Sequence, residues 1–471
     1  MADVKHLVVV GAGPGGYAAA FHAADRGLQV TMVGLEENPG GVCLHVGCIP
    51  SKALLHVAHL VEESQEAAKW GVTFEPPRID VDRLRGWKDE VVGKLTGGLG
   101  LLSKTRKVNY LRGRAELLGP HQLKVQMLAG GSETIEFDAA IIATGSRPVM
   151  PPSFPSSPRV MDSTGALDVK DLPETLLVVG GGYIGLELGS VYAALGSKVT
   201  VVEATGALAT GADRDLVAVL ESRLRKLFDE ILLNTKVLEM SASPNNVTVK
   251  LAGLDLAEPE RTYERVLVSV GRRPNSDGLG LEKTSVEVNP QGFLVVDPQR
   301  RTAEPTLYAI GDVAGQPMLA HKASYEARIA VEAILGEPAI YDPAAIPAVV
   351  FTDPELAWCG LTETEAKTRG RDIKITRFPW AASGRATTLG RNDGLTKIIA
   401  DAHTERVLGV GIAGVGAGEL IAEGVLAVEM GARADDLSMT IHAHPTLSET
   451  VMESAEMFFG QTPHYYQKNR E

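Results

Sequence analysis

The chain has 471 residues, 44% hydrophobic and 22% charged, and a formal net charge of -13. That length is too great for one core and predicts about three domains, while an acidic balance without a Lys/Arg-rich run argues against nucleic acid as a partner. Three cysteines build no disulfide framework, which points to a reducing, cytoplasmic compartment.

Met1-Ala2-Asp3-Val4-Lys5 lacks a basic leader and runs straight into a glycine motif, so no signal peptide is expected. No apolar run is expected to span a membrane, because Glu187, Glu419 and Glu423 interrupt the best candidates. Residues 4–10 read as a buried strand. Gly11-Ala12-Gly13-Pro14-Gly15-Gly16 follows, then a helix from Tyr17 to Arg26 and a strand from Gln29 to Val33. Strand, glycine loop, helix, strand is the dinucleotide-binding unit. Gly11 allows the tight turn, Gly13 lets the backbone approach a pyrophosphate at the helix N-terminus, and Gly16 lets helix and strand pack closely. The acid expected at the end of the second strand is replaced by Gly34, and Glu36 or Glu37 is placed to reach the ribose instead.

Gly40-Gly41-Val42-Cys43-Leu44-His45-Val46-Gly47-Cys48-Ile49-Pro50-Ser51-Lys52 holds two of the cysteines on a loop short enough for their sulfurs to meet. Pro50 reads as the first turn of a helix. Cys48 then sits at the helix N-terminus with Lys52 one turn on, an environment that favours a thiolate. Two other readings stand beside this redox pair: ordinary buried cysteines, and a metal site made of Cys43, His45, Cys48 and His56.

A helix is expected to about Trp70 and another from Val81 to Leu102, broken at Gly97-Gly98. Alternating segments from Lys107 to Phe137 suggest a small antiparallel layer. Ile141 to Gly145 reads as a strand ending on a tight turn, and Pro148 to Pro158 as a linker. A second unit then begins: strand Leu176 to Val179, Gly180-Gly181-Gly182-Tyr183-Ile184-Gly185, a helix to about Leu195, and strand Lys198 to Val202 ending on Glu203. A carboxylate there accepts both ribose hydroxyls and repels a 2′-phosphate, and Ala204, Thr205 and Gly206 follow it without an arginine. That favours NAD over NADP. Glu187 lies on a helix too apolar to leave a carboxylate alone, so it is expected to pair with Lys52 where the two helices meet.

Gly409, Gly411 and Gly414 match the same spacing, but no apolar strand carries Asp435, so they read as a strand-to-helix turn. Leu307 to Ile310 is a strand followed by Gly311-Asp312, and Asp312 either binds a sugar hydroxyl or caps a helix. Met318-Leu319-Ala320-His321-Lys322 opens a helix to about Leu335. Beyond Pro347 strands (Ala348 to Phe351, Ile373 to Phe378, Thr396 to Ala400, Val407 to Ile412) alternate with helices (Glu363 to Arg369, Glu419 to Met430, Glu449 to Phe459), which makes a separate α+β domain. Cys359 reads as packing. At the end of this domain His444 and Glu449 read as a general base and its orienting carboxylate. Thr446-x-x-Glu449 is equally a capping box, the reading that local sequence favours.

Together these motifs resemble the dihydrolipoyl dehydrogenases, flavin-containing pyridine nucleotide–disulfide oxidoreductases, over essentially the whole chain. The most specific parts are Gly40 to Lys52, Tyr308 to Asp312, Met318 to Lys322 and His442 to Glu449. The resemblance implies an α/β fold of two Rossmann-like dinucleotide-binding domains plus a C-terminal α+β dimerisation domain. FAD belongs to residues 1–147 and 273–345, NAD to 148–272, and dimerisation to 346–471. It implies FAD contacts from Gly11, Gly13, Gly16, Lys52, Gly145, Asp312 and Ala320, and NAD contacts from Gly180, Gly182, Gly185, Glu203 and Gly271. Catalysis falls to Cys43, Cys48, His444 and Glu449, supported by Lys52 and Glu187. His444 and Glu449 are implied to act at the disulfide of the partner subunit in a homodimer.

A dithiol yields two electrons and two protons while NAD accepts hydride, so a flavin stands between them. Cys43 is implied to be the sulfur attacked by the dihydrolipoyl thiol, and Cys48 the one facing the flavin. Lipoyl domains and a peripheral-subunit-binding domain of a 2-oxo acid dehydrogenase complex, or the glycine cleavage system, are the implied partners. The sequence departs from the family at Gly34, where glutamate is usual, and at His45, where asparagine is usual. A glutathione-type reductase would share the cysteine pair but prefer NADP, a mercuric reductase would carry a further C-terminal cysteine pair, and a non-enzymatic flavoprotein would not need His444 and Glu449.

Overall fold

Two apolar runs, His6–Val10 and Gln29–Gly34, form adjacent parallel strands joined by the helix Pro14–Asp25. The computed structural model describes residues 4–253, 256 and 258–466. The outer ends of the first and last expected domains, residues 1–3 and 467–471, lie outside the described residues. The helix starts earlier than the glycine pattern alone suggests, because Pro14 fits its first turn. Leu7, Val8 and Val9 are fully buried, as continuous apolar strands in a two-sided parallel sheet must be.

This sheet has seven strands in the order Leu307–Ala309, Ala139–Ile142, His6–Val10, Gln29–Gly34, Asn109–Gly119, Gln122–Met127, Ser132–Glu136. The antiparallel meander expected between residues 107 and 137 exists, but it is no separate layer. Strand Asn109–Gly119 pairs in parallel with Thr31 to Gly34 by its first half and antiparallel with Gln122–Met127 by its second. At the changeover a Cβ on Gly113 would lie 2.5 Å from Val125 Cγ1, so glycine permits the close approach.

The helix Val81–Thr105 is continuous, and the expected break at Gly97-Gly98 is absent. Glycine weakens a helix by only about 1 kcal/mol per residue. This one is anchored by an Asp80 cap that accepts from the Arg83 N–H and by buried Leu84, Thr96 and Ser103. Contrary to expectation, one apolar stretch, residues 41–70, is long and apolar enough to cross a bilayer by composition. Here it is divided at Gly47 into two helices, and Leu54, Leu55 and Ala58 pack in the core against the second unit.

The second unit is a parallel sheet in the order Glu230–Leu232, Lys198–Val202, Thr175–Val179, Arg265–Val268, Val160–Met161, with a three-stranded antiparallel layer beside it. The chain enters it through Ser146–Pro148 and leaves through Arg272–Pro274, and these two segments pair with each other. It then returns to finish the first sheet with Leu307–Ala309.

The C-terminal domain is a five-stranded antiparallel sheet, Ala348–Val350, Glu355–Gly360, Val407–Gly414, Leu395–Asp401, Ile373–Pro379. Strand Glu355–Gly360 is absent from the sequence reading because Asp353-Pro354 signals a turn directly before it. Cys359 is buried on this strand, which pushes its thiol up to about 12, a packing residue as expected. The Gly409, Gly411 and Gly414 run lies in a strand. A Cβ on Gly411 would sit 2.4 Å from Leu216 of the second unit, so these glycines serve close packing. The two units are also joined by Lys397, 1% exposed, which donates to Asp213, Asp215 and Glu363 at 2.7, 2.8 and 2.7 Å.

Candidate active site

Helices Gly41–Val46 and Cys48–Glu66 meet at Gly47. A Cβ there would lie 2.7 Å from the Val42 carbonyl oxygen, so a glycine lets the chain turn tightly enough to bring Cys43 and Cys48 into contact. Both are thiols in this structure. The hydrogen bond from Cys43 lowers the pKa of Cys48; burial opposes this and the Lys52 ammonium assists, leaving Cys48 at about 7. Cys43 moves up, through the same hydrogen bond and through burial. The pair therefore carries its negative charge on Cys48, the first residue of a helix, where the dipole also favours an anion. The metal reading fails on geometry: His45 Nε2 binds the Asn38 carbonyl oxygen at 3.1 Å, and His56 packs against the Trp87 ring.

One turn along, Lys52 Nζ donates to Glu187 Oε2 at 2.8 Å. Glu187, on helix Tyr183–Ala194, is buried, and its remaining capacity is filled by Ser51 Oγ at 3.0 Å and the Phe351 N–H at 3.0 Å. Lys52 Nζ also lies 4.4 Å from the Phe351 ring centroid. Three donors offset the cost of burying that carboxylate. It locks the cysteine helix to the second unit and to the C-terminal domain at once.

These groups border a cleft of 860 Å³ that reaches from the first glycine loop to the cysteines. Gly11, Gly13, Gly145, Asp312 and Ala320 line it, together with Lys52 and Cys48. Gly11, at φ 109, would place a Cβ 2.2 Å from the Ala143 carbonyl oxygen. Gly16 packs behind the loop, 1.9 Å from the Gly11 carbonyl oxygen by the same test, whereas Gly13 meets nothing nearer than 3.9 Å. The loop is thus closed against the protein and open toward a phosphate at the helix N-terminus. Asp312 caps no helix. It accepts from Ser146 Oγ, itself bound by Arg272 Nε at 2.8 Å, and faces the cleft. An elongated cleft with a phosphate cradle at one end, a carboxylate for a hydroxyl, and a thiolate beside a lysine at the other fits FAD.

In the second unit Gly180 and Gly185 are closed in the same way, while a Cβ on Gly182 would meet nothing within 4 Å. Glu203 turns back over this loop and accepts from the Gly181 N–H at 2.7 Å and from the Thr205 N–H at 2.7 Å. An open phosphate position beside a strand-end carboxylate fits a dinucleotide with a free ribose diol. Gly271, at φ 124, stands at the end of this unit, just before the crossing ribbon.

His444 and Glu449 are brought together: Nδ1 lies 2.9 Å from Oε1. Burial opposes ionisation of Glu449, but the Thr446 N–H and the His444 ring outweigh it and hold the carboxyl below its usual range. His444 is 74% exposed and neither residue borders this chain's own cleft. His442, by contrast, is buried between the Thr440 carbonyl and Glu423, which fixes the loop.

Sequence reasoning missed several residues here. Tyr183 and Arg272 line the cleft from the second unit and from the ribbon. Lys322 and Arg300 pair with fully buried Glu326, whose other oxygen accepts from the Gly311 N–H at 2.6 Å and so fixes the backbone beside Asp312. Tyr183 had a signal, since it directly follows the open Gly182, and Lys322 had one in its i,i+4 spacing to Glu326; Arg300, 26 residues before Glu326, has none in the linear order.

The sequence matches the family model of pyridine nucleotide-disulphide oxidoreductases over residues 5–327 and that family's dimerisation domain over residues 346–455. It is 48% identical to a dihydrolipoyl dehydrogenase of Haemophilus influenzae over 96% of this chain and 95% of that one. Against a dihydrolipoyl dehydrogenase of Bacillus subtilis the figure is 45%, over 97% of each. Among solved structures, LpdA from Mycobacterium tuberculosis superposes with a TM-score of 0.90 at 27% identity, covering 97% of this chain and 100% of that one. The HOCl-induced flavoprotein disulfide reductase RclA from Escherichia coli, as a Cu(II) complex, gives 0.86 at 30%, covering 97% and 100%. With a dithiol poised on Cys48, two nucleotide cradles and a carboxylate-held histidine, the chain belongs to the dihydrolipoyl dehydrogenases, FAD- and NAD-using homodimers of the pyridine nucleotide–disulphide oxidoreductase family.

Proposed function

We propose that each active site is built from two subunits, with Cys43 and Cys48 of one and the His444–Glu449 pair of the other. The observation that carries this is the position of His444. It is exposed and away from its own cleft, in a domain where Leu426, Met430, Met439 and Ile441 are also exposed, and its loop is tied through His442 to Glu423 on the helix that carries Leu426 and Met430. A second copy covering that apolar face brings a base to the cysteines. In this reading FAD lies along the cleft of residues 1–147 and 273–345, held by Gly11, Gly13, Gly145, Asp312 and Ala320 with Lys52 near its reactive end, and Gly16 supporting the loop from behind. NAD lies over Gly180, Gly182, Gly185 and Gly271 in residues 148–272, with Glu203 on its ribose.

The protein's own residues then act in order. His444 Nδ1 is engaged by Glu449, so Nε2 takes the proton from a dihydrolipoyl thiol. The thiolate formed attacks Cys43 Sγ of the oxidised pair, the Cys43–Cys48 bond breaks, and Cys48 leaves as a thiolate, the better leaving group because of its lowered pKa. The second substrate thiol attacks its neighbour in the mixed disulfide, the bond to Cys43 breaks, and its proton passes to the departing Cys43 sulfur, which leaves as a thiol as the lipoyl ring is released. Substrate has lost two electrons and two protons, and the cysteines have gained the electrons. FAD, when bound, supplies the two-electron carrier between the dithiol and NAD. Lys52 and Glu187 hold the cysteine helix in register throughout.

Lipoyl domains are the physiological substrate carriers in this reading, and a 2-oxo acid dehydrogenase complex or the glycine cleavage system is the assembly, with a basic peripheral-subunit-binding domain as the complement to a net charge of -13. A working dithiol in a chain of three cysteines suits the cytoplasm. The test compares NAD reduction by dihydrolipoamide with NADPH oxidation by glutathione disulfide. The reading requires the first and is overturned by the second.

A further inference from the structure

The two nucleotide-binding units follow one plan and differ where the second strand meets the glycine loop. Gly34 stands to Gly11 as Glu203 stands to Gly180, the first ending the second strand of its unit and the other directly following it. On the next strand out, Ile231 pairs with Val201 in the second unit, whereas Tyr110 pairs with Met32 in the first. One unit thus has an acid beside an aliphatic side chain; the other has no side chain beside a tyrosine. The two changes belong together. A Cβ on Gly34 would lie 2.4 Å from the Tyr110 hydroxyl oxygen and 2.8 Å from Ala12 Cβ, so the phenol and the Ala12 methyl together fill the space where an acid would begin; in the second unit Gly181 leaves that space to Glu203.

Tyr110 is half-buried and lines the same cleft as Gly11 and Gly13. Its hydroxyl donates to the Glu36 carbonyl oxygen at 2.9 Å. With the proton committed there, the oxygen is left to accept. Burial keeps the phenol neutral, its pKa pushed up to about 12.

We propose that Tyr110 recognises the adenosine ribose of FAD in this chain, its phenol oxygen accepting from a ribose hydroxyl in place of the carboxylate that Gly34 lacks. The inference rests on the assignment of FAD to the first unit. It replaces a two-oxygen anion by one neutral acceptor whose direction is set by the Glu36 carbonyl.

The test is rebinding of flavin to apoprotein, followed by fluorescence, with FAD and with FMN, which lacks the adenosine. Tyr110→Phe should weaken FAD about three- to tenfold, the worth of one neutral hydrogen bond, and leave FMN unchanged. Gly34→Glu alone should weaken FAD further, because the new side chain meets the phenol. Adding Tyr110→Ile and Ala12→Gly, which together copy the second unit, where Gly181 stands in the place of Ala12, should restore binding. An unchanged ratio of FAD to FMN affinity in Tyr110→Phe, or full FAD affinity in Gly34→Glu alone, overturns the proposal. Wild-type apoprotein that rebinds neither flavin would instead remove the assignment of FAD to this unit, and the role of Tyr110 with it.

Discussion

Glu449 binds the His444 ring through Oε1 at 2.9 Å and gives its other oxygen, Oε2, to the Thr446 N–H at 2.8 Å. The two roles the sequence offered for this carboxylate, helix cap and orienter of a base, sit on separate oxygens. The Oε2 contact is the one a capping box would use. The box itself is not formed, because the helix begins at Glu449 with Ser448 before it, and the Thr446 hydroxyl, which donates to the Ala443 carbonyl oxygen, accepts from no helix N–H.

Glu449→Gln should keep the capping contact and remove the charge. Dihydrolipoamide turnover is expected to fall by about 10²-fold, the usual scale of a general-base contribution. NADH-to-dye turnover, which bypasses the dithiol step, should survive, and His444→Gln should behave alike but more severely. Steady-state assays with the two electron acceptors measure this; normal dihydrolipoamide turnover in Glu449→Gln leaves the cap as the only role.

In the reduced protein, alkylation of Cys48 should reach half its limiting rate near pH 7, since its thiolate fraction rises through that value. Cys43→Ala removes the donor that contributes most to the shift, so the midpoint should move up toward the ordinary thiol range, about 8.5. A midpoint that does not move would assign the shift to Lys52 and the helix dipole alone.

Lys52→Met leaves the Glu187 carboxylate buried with only Ser51 and the Phe351 N–H. Loss of one partner of a buried pair costs about 3 kcal/mol, which thermal unfolding should show as a lowered midpoint. The Cys48 pKa should rise in the same variant. Glu187→Gln should be milder, because Lys52, partly exposed, regains water.

Glu203→Ala should raise the KM for NAD by about tenfold, the loss of a charged hydrogen-bond acceptor. Adding arginines at residues 204 and 205 should turn the preference toward NADP, because the open phosphate position at Gly182 serves either nucleotide. Unaltered KM for NAD in Glu203→Ala would separate Glu203 from the ribose.

Both glycine loops were legible because their function is written in backbone: Gly11 and Gly16, like Gly180 and Gly185, leave no room for a Cβ, and Gly13 and Gly182 leave room only for a ligand. The Lys52–Glu187 pair was legible from burial alone, since an acid on an apolar helix needs a cation. What was hidden depends on residues far apart in the chain. The Ser146–Pro148 and Arg272–Pro274 ribbon, the reach of Arg300 to Glu326 and the exchange between Gly34 and Tyr110 exist only through pairing across strands and helices. The unbroken Val81–Thr105 helix shows the converse, where tertiary contacts override a local breaker.

The path of the chain through the ribbon also orders its synthesis. A ribosome delivers the strand Ala139–Ile142 long before its outer neighbour Leu307–Ala309. Until residue 307 emerges, the first sheet presents a raw apolar edge, the kind that recruits foreign strands. The inserted unit, whose ends lie side by side, is complete by residue 268 and closes on itself first. The nascent protein therefore carries that open edge from residue 142 to residue 307, and this is the interval in which a chaperone has an edge to shield.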